Sequence, residues 1–328
     1  MSGNVSTARG SSCPKIVAIG GGHGLSNTLR ALKRYTSNIT AIVTVADDGG
    51  GSGVLRQELG MLPPGDIRNC ILALSNTEPV MAQLLDYRFT AGSLAGQSLG
   101  NLFLAALNDL CGSFDGAVRR MSEVLNITGR VLPVTCENVQ LHAEFENGGT
   151  VTGQSRIFLA KKENDCRILR VWLTPERPAP LPEAVAAIQQ ADLIVIGPGS
   201  LYTSIIPNFL VEGIGEAVAG AKGKKVFVLN IMGQEGETEG YTAADHVTAL
   251  LRHAPGVVDC CLANNAPIPP EMAAAYRQEG VGPIELESLR DLDIPLVLAP
   301  LAVQTGTYAR HDPQALGRAL AELLEGGA

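Results

Sequence analysis

Four glycines in five residues, Gly20-Gly21-Gly22-His23-Gly24, constrain this chain more than any other stretch. They follow an apolar run, Ile16-Val17-Ala18-Ile19, of the kind that forms a buried strand. They precede Leu25, Leu29 and Leu32, spaced along one helical face, with Lys33 and Arg34 in the last turn where cations suit the helix dipole. The order is strand, glycine turn, helix. Unpaired N–H groups at a helix N-terminus carry partial positive charge, and glycine lets backbone come close to an anion. Such a corner is suited to phosphate.

On spacing alone the corner also fits a tight turn that binds nothing. The dinucleotide fingerprint needs a third glycine where this chain has Leu25, or Asn27 in the other frame. A nicotinamide-dependent dehydrogenase therefore matches only the first strand–turn–helix unit. Two further strand ends strengthen a ligand reading. The apolar, β-branched stretch 39–45 ends in Ala46-Asp47-Asp48-Gly49-Gly50-Gly51-Ser52-Gly53. The strand Leu193–Ile196 ends in Gly197-Pro198-Gly199-Ser200-Leu201-Tyr202-Thr203-Ser204. In a doubly wound parallel sheet these ends share one edge, and ligands bind along it. There Asp47 or Asp48 would bind a ribose, a sugar hydroxyl or Mg²⁺. The alternative for both is a solvated turn.

The stretch Pro63-Pro64-Gly65-Asp66-Ile67-Arg68-Asn69 opens a helix, with Asp66 as its N-cap and Ile67, Ile71 and Leu74 on one face. Arg68 and Asn69 fall in the first turn, where a cation calls for a nearby anion. Helical patterns follow at 80–87, 99–110 and 114–125. Residues 130–173 then alternate as short antiparallel strands do, as in Val139-Gln140-Leu141-His142-Ala143-Glu144-Phe145. The stretch of about 78–178 reads as a helical and antiparallel-β insertion. The α/β rhythm resumes with a helix at 184–190, the strand before Gly197, and a strand at 226–229 that runs into Asn230-Ile231-Met232-Gly233-Gln234. Thr242 and Asp245 form a capping box, Val257-Val258 and 295–298 read as strands, and Asp312-Pro313 caps a last helix.

Composition sets outer bounds. The chain has 328 residues, 45% of them apolar, enough for a sizeable core. A net charge of −8 argues against a general nucleic-acid binder. The 7 cysteines are scattered, with no CxxC, so they read as small buried hydrophobes of a reducing cytoplasm rather than a disulfide framework or zinc site. No run suits a membrane span, residues 1–14 read as a disordered tail and not a signal peptide, and 15–325 reads as a single α/β domain. His142, His246, His253 and His311 have no partners at metal-ligand spacing and read as structural. No Ser occupies a G-x-S-x-G elbow.

Taken together, Gly-Gly-Gly-His-Gly-Leu-Ser at 20–26, Val-Ala-Asp-Asp-Gly-Gly at 45–50, the 63–69 and 197–204 segments, and Asn-Ile-Met-x-Gln at 230–234 resemble the YvcK-type gluconeogenesis factors of the CofD superfamily of 2-phospho-L-lactate transferases. The resemblance covers nearly everything after the N-terminal tail. It implies a three-layer Rossmann-like α/β fold with a mostly parallel, doubly wound sheet in a cytoplasmic protein. It also implies a UDP-sugar ligand such as UDP-N-acetylglucosamine, and a regulatory link to cell shape and carbon metabolism. The alternative within the superfamily is a Mg²⁺-dependent transferase that moves a phospholactyl group from a guanylylated donor to a deazaflavin alcohol. Carried onto this chain, Gly21, Gly22, His23 and Gly24 would contact the diphosphate, while Asp47 and Asp48 would face the sugar or Mg²⁺. Asp66, Arg68 and Asn69 would shape the adjacent wall. Gly197, Gly199, Ser200 and Tyr202 would form the opposing loop, joined by Asn230. Arg310, within Tyr308-Ala309-Arg310, would be the basic contact. A homo-oligomer is compatible with these features.

Overall fold

The computed structural model describes residues 13–164 and 166–326; most of the expected N-terminal tail lies outside them. Its strands are β1 (Ile16–Gly20), β2 (Ile39–Val43), β3 (Arg130–Pro133), β4 (Gln140–Phe145), β5 (Thr150–Thr152), β6 (Ile168–Thr174), β7 (Leu193–Ile196), β8 (Lys224–Val228), β9 (Cys260–Asn264), β10 (Leu296–Ala299), β11 (Ala302–Thr305) and β12 (Tyr308–His311). Seven of them form one parallel sheet in the order β10-β9-β8-β7-β1-β2-β3. Every residue of β1, β2 and β7 is buried, as the continuous apolar runs require of strands covered on both faces. Chain order reverses at β1, with β2 on one side and β7 on the other. A crevice opens there beyond the C-terminal strand ends. This is the expected doubly wound α/β fold.

Seven helices before β6 matter to the site: α1 (Gly22–Leu32), α2 (Gly50–Leu59), α3 (Gly65–Leu74), α4 (Pro79–Asp86), α5 (Leu99–Cys111), α6 (Phe114–Val124) and α7 (Gln154–Asn164). In α1, Leu25, Leu29 and Leu32 are buried, as their spacing predicts. Thr242 and Asp245 make the capping box of the helix Ala243–His253, and the Asp312 carboxylate accepts from the Gln314 and Ala315 N–H groups.

Some expectations are corrected. Asp66 is not the cap of α3. Pro64 holds that position, and Asp66 sits inside the first turn. Val257-Val258 is not a strand; the strand begins at Cys260, after Asp259, whose carboxylate accepts the Lys225 N–H at 2.8 Å. The stretch 78–178 holds the expected helices and antiparallel strands, and it contributes a strand to the main sheet as well. Arg130–Pro133 pairs in parallel with β2 and closes one edge of the main sheet. The antiparallel part is a separate three-stranded sheet, β5-β4-β6. The cysteines are free, but Cys13, Cys111 and Cys136 are exposed rather than buried. Among the described residues, no helix is long and apolar enough to cross a membrane.

Candidate functional site

The glycine corner after β1 and the glycine turn after β7 meet. A Cβ placed on Gly24 would lie 2.1 Å from the Pro198 carbonyl oxygen, so only glycine allows the turns this close. Gly22 has φ +61° and Gly197 φ +73°, the left-handed region that suits glycine. The Asn230 side chain fixes the second turn: its Oδ1 accepts the Gly199 N–H at 3.0 Å, and its Nδ2 donates to the Gly199 carbonyl at 2.8 Å. The Ser200 hydroxyl donates to Gln234 Oε1 at 2.9 Å. The ends of β1, β7 and β8 are thereby tied together along one rim.

A cavity of about 500 Å³ opens over this rim. Gly21, Gly22, His23, Gly24, Asp47, Asp66, Gly199, Ser200, Asn230 and Arg310 all line it, although they span 290 positions of sequence. Burial lowers the His23 pKa first, and the positive charges of Arg310, Arg68 and Arg30 lower it further. Arg310 lines the cavity beside the glycine corner and is the cationic group there suited to an anion.

The carboxylates of Asp47 and Asp66 also line the cavity, the latter at the glycine corner itself. The Gly22 N–H donates to the Asp66 carboxylate, which also sits beside Gly21. Burial, then the neighbouring Asp47, pushes the Asp66 carboxyl up to about 7. Asp47 is raised as well, chiefly by burial, while its Oδ1 accepts the Gly49 N–H at 3.0 Å.

Five expected site residues lie elsewhere. The Asp48 carboxylate turns away from the cavity and accepts the Ser155 N–H at 2.8 Å. The expected Asp47–Asp48 pair is thus replaced by Asp47 with Asp66. Arg68 is buried; its guanidinium donates to Ser98 Oγ at 2.5 Å and to Asn69 Oδ1 at 2.6 Å, with Asp86 3.8 Å away. The anion its position called for is protein, and Asn69 is spent on the same cluster. Gly197 shapes the second turn, its N–H donating to the Ile19 carbonyl at 2.9 Å, without lining the cavity. Tyr202 is core: its hydroxyl donates to the Ile168 carbonyl at 3.2 Å and lies 3.0 Å from the Tyr241 hydroxyl. Its helical turn points the ring away from the loop.

Other lining residues carried no sequence signal. Gln154 and Phe158 come from α7, and Tyr276 from the helix Pro270–Gln278. The Tyr276 and Tyr308 rings pack edge to face at 6.3 Å, and the Arg310 guanidinium lies 5.2 Å from the Tyr308 ring centre. The Ala309 N–H donates to the Tyr276 hydroxyl at 3.1 Å, which holds β12 against that helix. His311, read from the sequence as structural, is buried in the wall and donates from Nε2 to the Leu229 carbonyl at 3.1 Å. Of these, Tyr308 stands in the Tyr308-Ala309-Arg310 segment singled out from the sequence.

Sheet, switch point and glycine-lined cavity define a Rossmann-like α/β protein with an anion-suited rim. The family described as 2-phospho-L-lactate transferase CofD matches residues 16–302. The chain is 52% identical over 314 residues to a putative gluconeogenesis factor from Thermoanaerobacterium thermosulfurigenes, covering 95% of this chain and 97% of that one. It is 49% identical over 316 residues to the gluconeogenesis factor of Bacillus subtilis, covering 95% and 98%. A crystal structure of a protein from Bacillus halodurans superposes with a TM-score of 0.91 at 44% identity, covering 95% of this chain and all of that one. The chain belongs to the gluconeogenesis factor family, within the CofD superfamily.

Proposed function

We propose that the protein binds a nucleoside diphosphate sugar of the UDP-N-acetylglucosamine kind. In this reading it acts in the cytoplasm as a regulatory protein tied to cell shape, cell-wall synthesis and carbon metabolism. One observation carries the binding reading: two glycine turns converge on a single cavity that Arg310 also lines. The diphosphate would lie over Gly21–Gly24 and Gly199, and Arg310 would neutralise part of its charge. Tyr276 and Tyr308 offer flat faces for a base. The regulatory part rests on the family resemblance and on relatives named gluconeogenesis factor. Titration calorimetry with UDP-N-acetylglucosamine tests the binding. The expected result is a one-site isotherm, and absence of heat up to millimolar ligand overturns the reading.

A specific observation also favours the transferase alternative. Asp47 and Asp66 place two carboxylates on one wall, and hard oxygen donors of this kind fit Mg²⁺. Bound there, Mg²⁺ would offset charge on a phosphoryl group. The Asp48 carboxylate is engaged by the Ser155 N–H at the start of α7. Turnover of a guanylylated phospholactate donor with a deazaflavin alcohol would establish this reading, and its absence, with UDP-sugar binding intact, would dismiss it.

A further inference from the structure

The main cavity does not end at Asp47. A polar hollow of about 250 Å³ continues beneath α7. Asp47, Gln154, Phe158, Ser200 and Gln234 line both spaces, and Thr203, Gly236 and Glu237 belong to the hollow alone. We propose that this hollow receives the sugar ring and selects a neutral hexose over a hexuronate. The proposal rests on the nucleoside diphosphate sugar reading above and assigns one end of that ligand to one place.

Chain order sets the direction. Ser200 follows the second glycine turn directly and borders both spaces, so a group attached to a diphosphate at that turn has the hollow next to it. Tyr276, Tyr308 and Arg310 line only the main cavity, which leaves the aromatic end for the base. The chemistry of the hollow then fits a polyhydroxylated ring. Gln154 Oε1 is a buried acceptor with no hydrogen-bond partner among the described residues, and a sugar hydroxyl or acetamido N–H would satisfy it. Phe158 supplies a flat apolar surface beside these polar groups, the mixed lining that orients a ligand with an apolar face and a polar rim.

Selectivity follows from charge. None of the described lining residues of the hollow is Lys, Arg or His, and two are carboxylates, Asp47 and Glu237. The Glu237 oxygens are held in place as acceptors, from Thr203 Oγ1 at 2.6 Å and the Tyr202 N–H at 3.2 Å. A hexuronate would bring a third carboxylate into this space with no cation to meet it. A neutral hexose brings donors for acceptors already there.

Titration of the full chain in metal-free buffer with UDP, UDP-N-acetylglucosamine, UDP-glucose and UDP-glucuronate tests this. The neutral sugar nucleotides are expected to bind at least ~10-fold more tightly than UDP, the scale of one or two added hydrogen bonds, and UDP-glucuronate no more tightly than UDP. Ser155→Phe, at an exposed position of α7 that lines only the hollow, should keep the UDP affinity and lose the gain from the neutral sugar. If that variant melts early, the ligand series on the parent chain decides alone. Equal affinity for all four ligands, or uronate binding as tight as the neutral sugar, overturns the subsite while leaving nucleotide binding in place. No binding by any of them, UDP included, overturns the nucleotide reading and the subsite with it.

Discussion

The Asp48 carboxylate accepts the Ser155 N–H at 2.8 Å, across 107 positions of sequence. A loop of the parallel sheet thus caps a helix that lies between two strands of the small antiparallel sheet. The cap holds α7 over the cavity, where Gln154 and Phe158 form part of the wall. Two ion pairs hold the other side of α7, Lys161 with Glu239 at 3.3 Å and Lys162 with Glu235 at 2.6 Å.

Loss of this cap should loosen α7 before anything else. Asp48→Ala is expected to cost about 1 kcal/mol of stability, the usual scale for a lost N-cap. Hydrogen exchange should quicken over 155–162 while the amides of β1 and β7 stay protected. Uniform exchange changes across the chain, or none, would show that Asp48 does something other than cap α7.

Tyr202 separates packing from ligand contact. Tyr202→Phe removes a buried hydroxyl that pairs with Tyr241 and the Ile168 carbonyl, and should cost about 1–2 kcal/mol in urea unfolding. Nucleotide affinity, measured well below the melting temperature, should stay the same. A selective loss of affinity with full stability would return Tyr202 to the site.

Arg310 should behave in the opposite way. It is exposed, carries no ion pair among the described residues, and reaches the cavity beside Tyr308. Arg310→Ala is expected to weaken sugar-nucleotide binding by about 1–3 kcal/mol, as for a lost charge-assisted contact, and to leave the melting temperature unchanged. Calorimetry and a thermal melt on the same sample check both halves.

His311 makes one contribution to stability that mild acidification removes. Burial lowers its pKa from the ordinary 6.5 to about 4, so the folded protein keeps the ring neutral while the unfolded chain takes up a proton. The unfolded state therefore binds more protons between those values, and the contribution is present above pH 6.5 and lost as pH falls toward 4. Glu237, raised by burial from 4.5 to about 7, acts with the other sign: its contribution is present below 4.5 and lost as pH rises through 7. Asp66, raised from 3.8 to about 7, adds to the Glu237 side, so the His311 part is read as the difference in urea midpoint between the parent and His311→Gln from pH 4 to 8. His311→Gln should flatten the acid side, and an unaltered acid slope in that variant would exclude His311 as its source.

Much of the architecture is legible along the chain because it depends on local pattern. Continuous apolar runs mark strands buried on both faces, and β1 and β7 stand where those runs are. The glycine corner reads correctly because φ and steric space are backbone properties that glycine announces by itself. The capping box at Thr242 and the cap at Asp312 are equally local. The Val257-Val258 error was local too: two β-branched residues suggested a strand that begins three positions later.

Side-chain direction is another matter. Asp47 and Asp48 are neighbours and look alike in sequence, yet one faces the cavity and the other caps α7. Arg68 looked like an anion contact, and its anion proved to be Asp86. The chain by itself determined the sheet, its switch point and the glycine rim, since periodicity and backbone freedom act over a few residues. Only the tertiary structure decided which carboxylates, rings and amides share the cavity, since that depends on packing between segments separated by up to hundreds of positions.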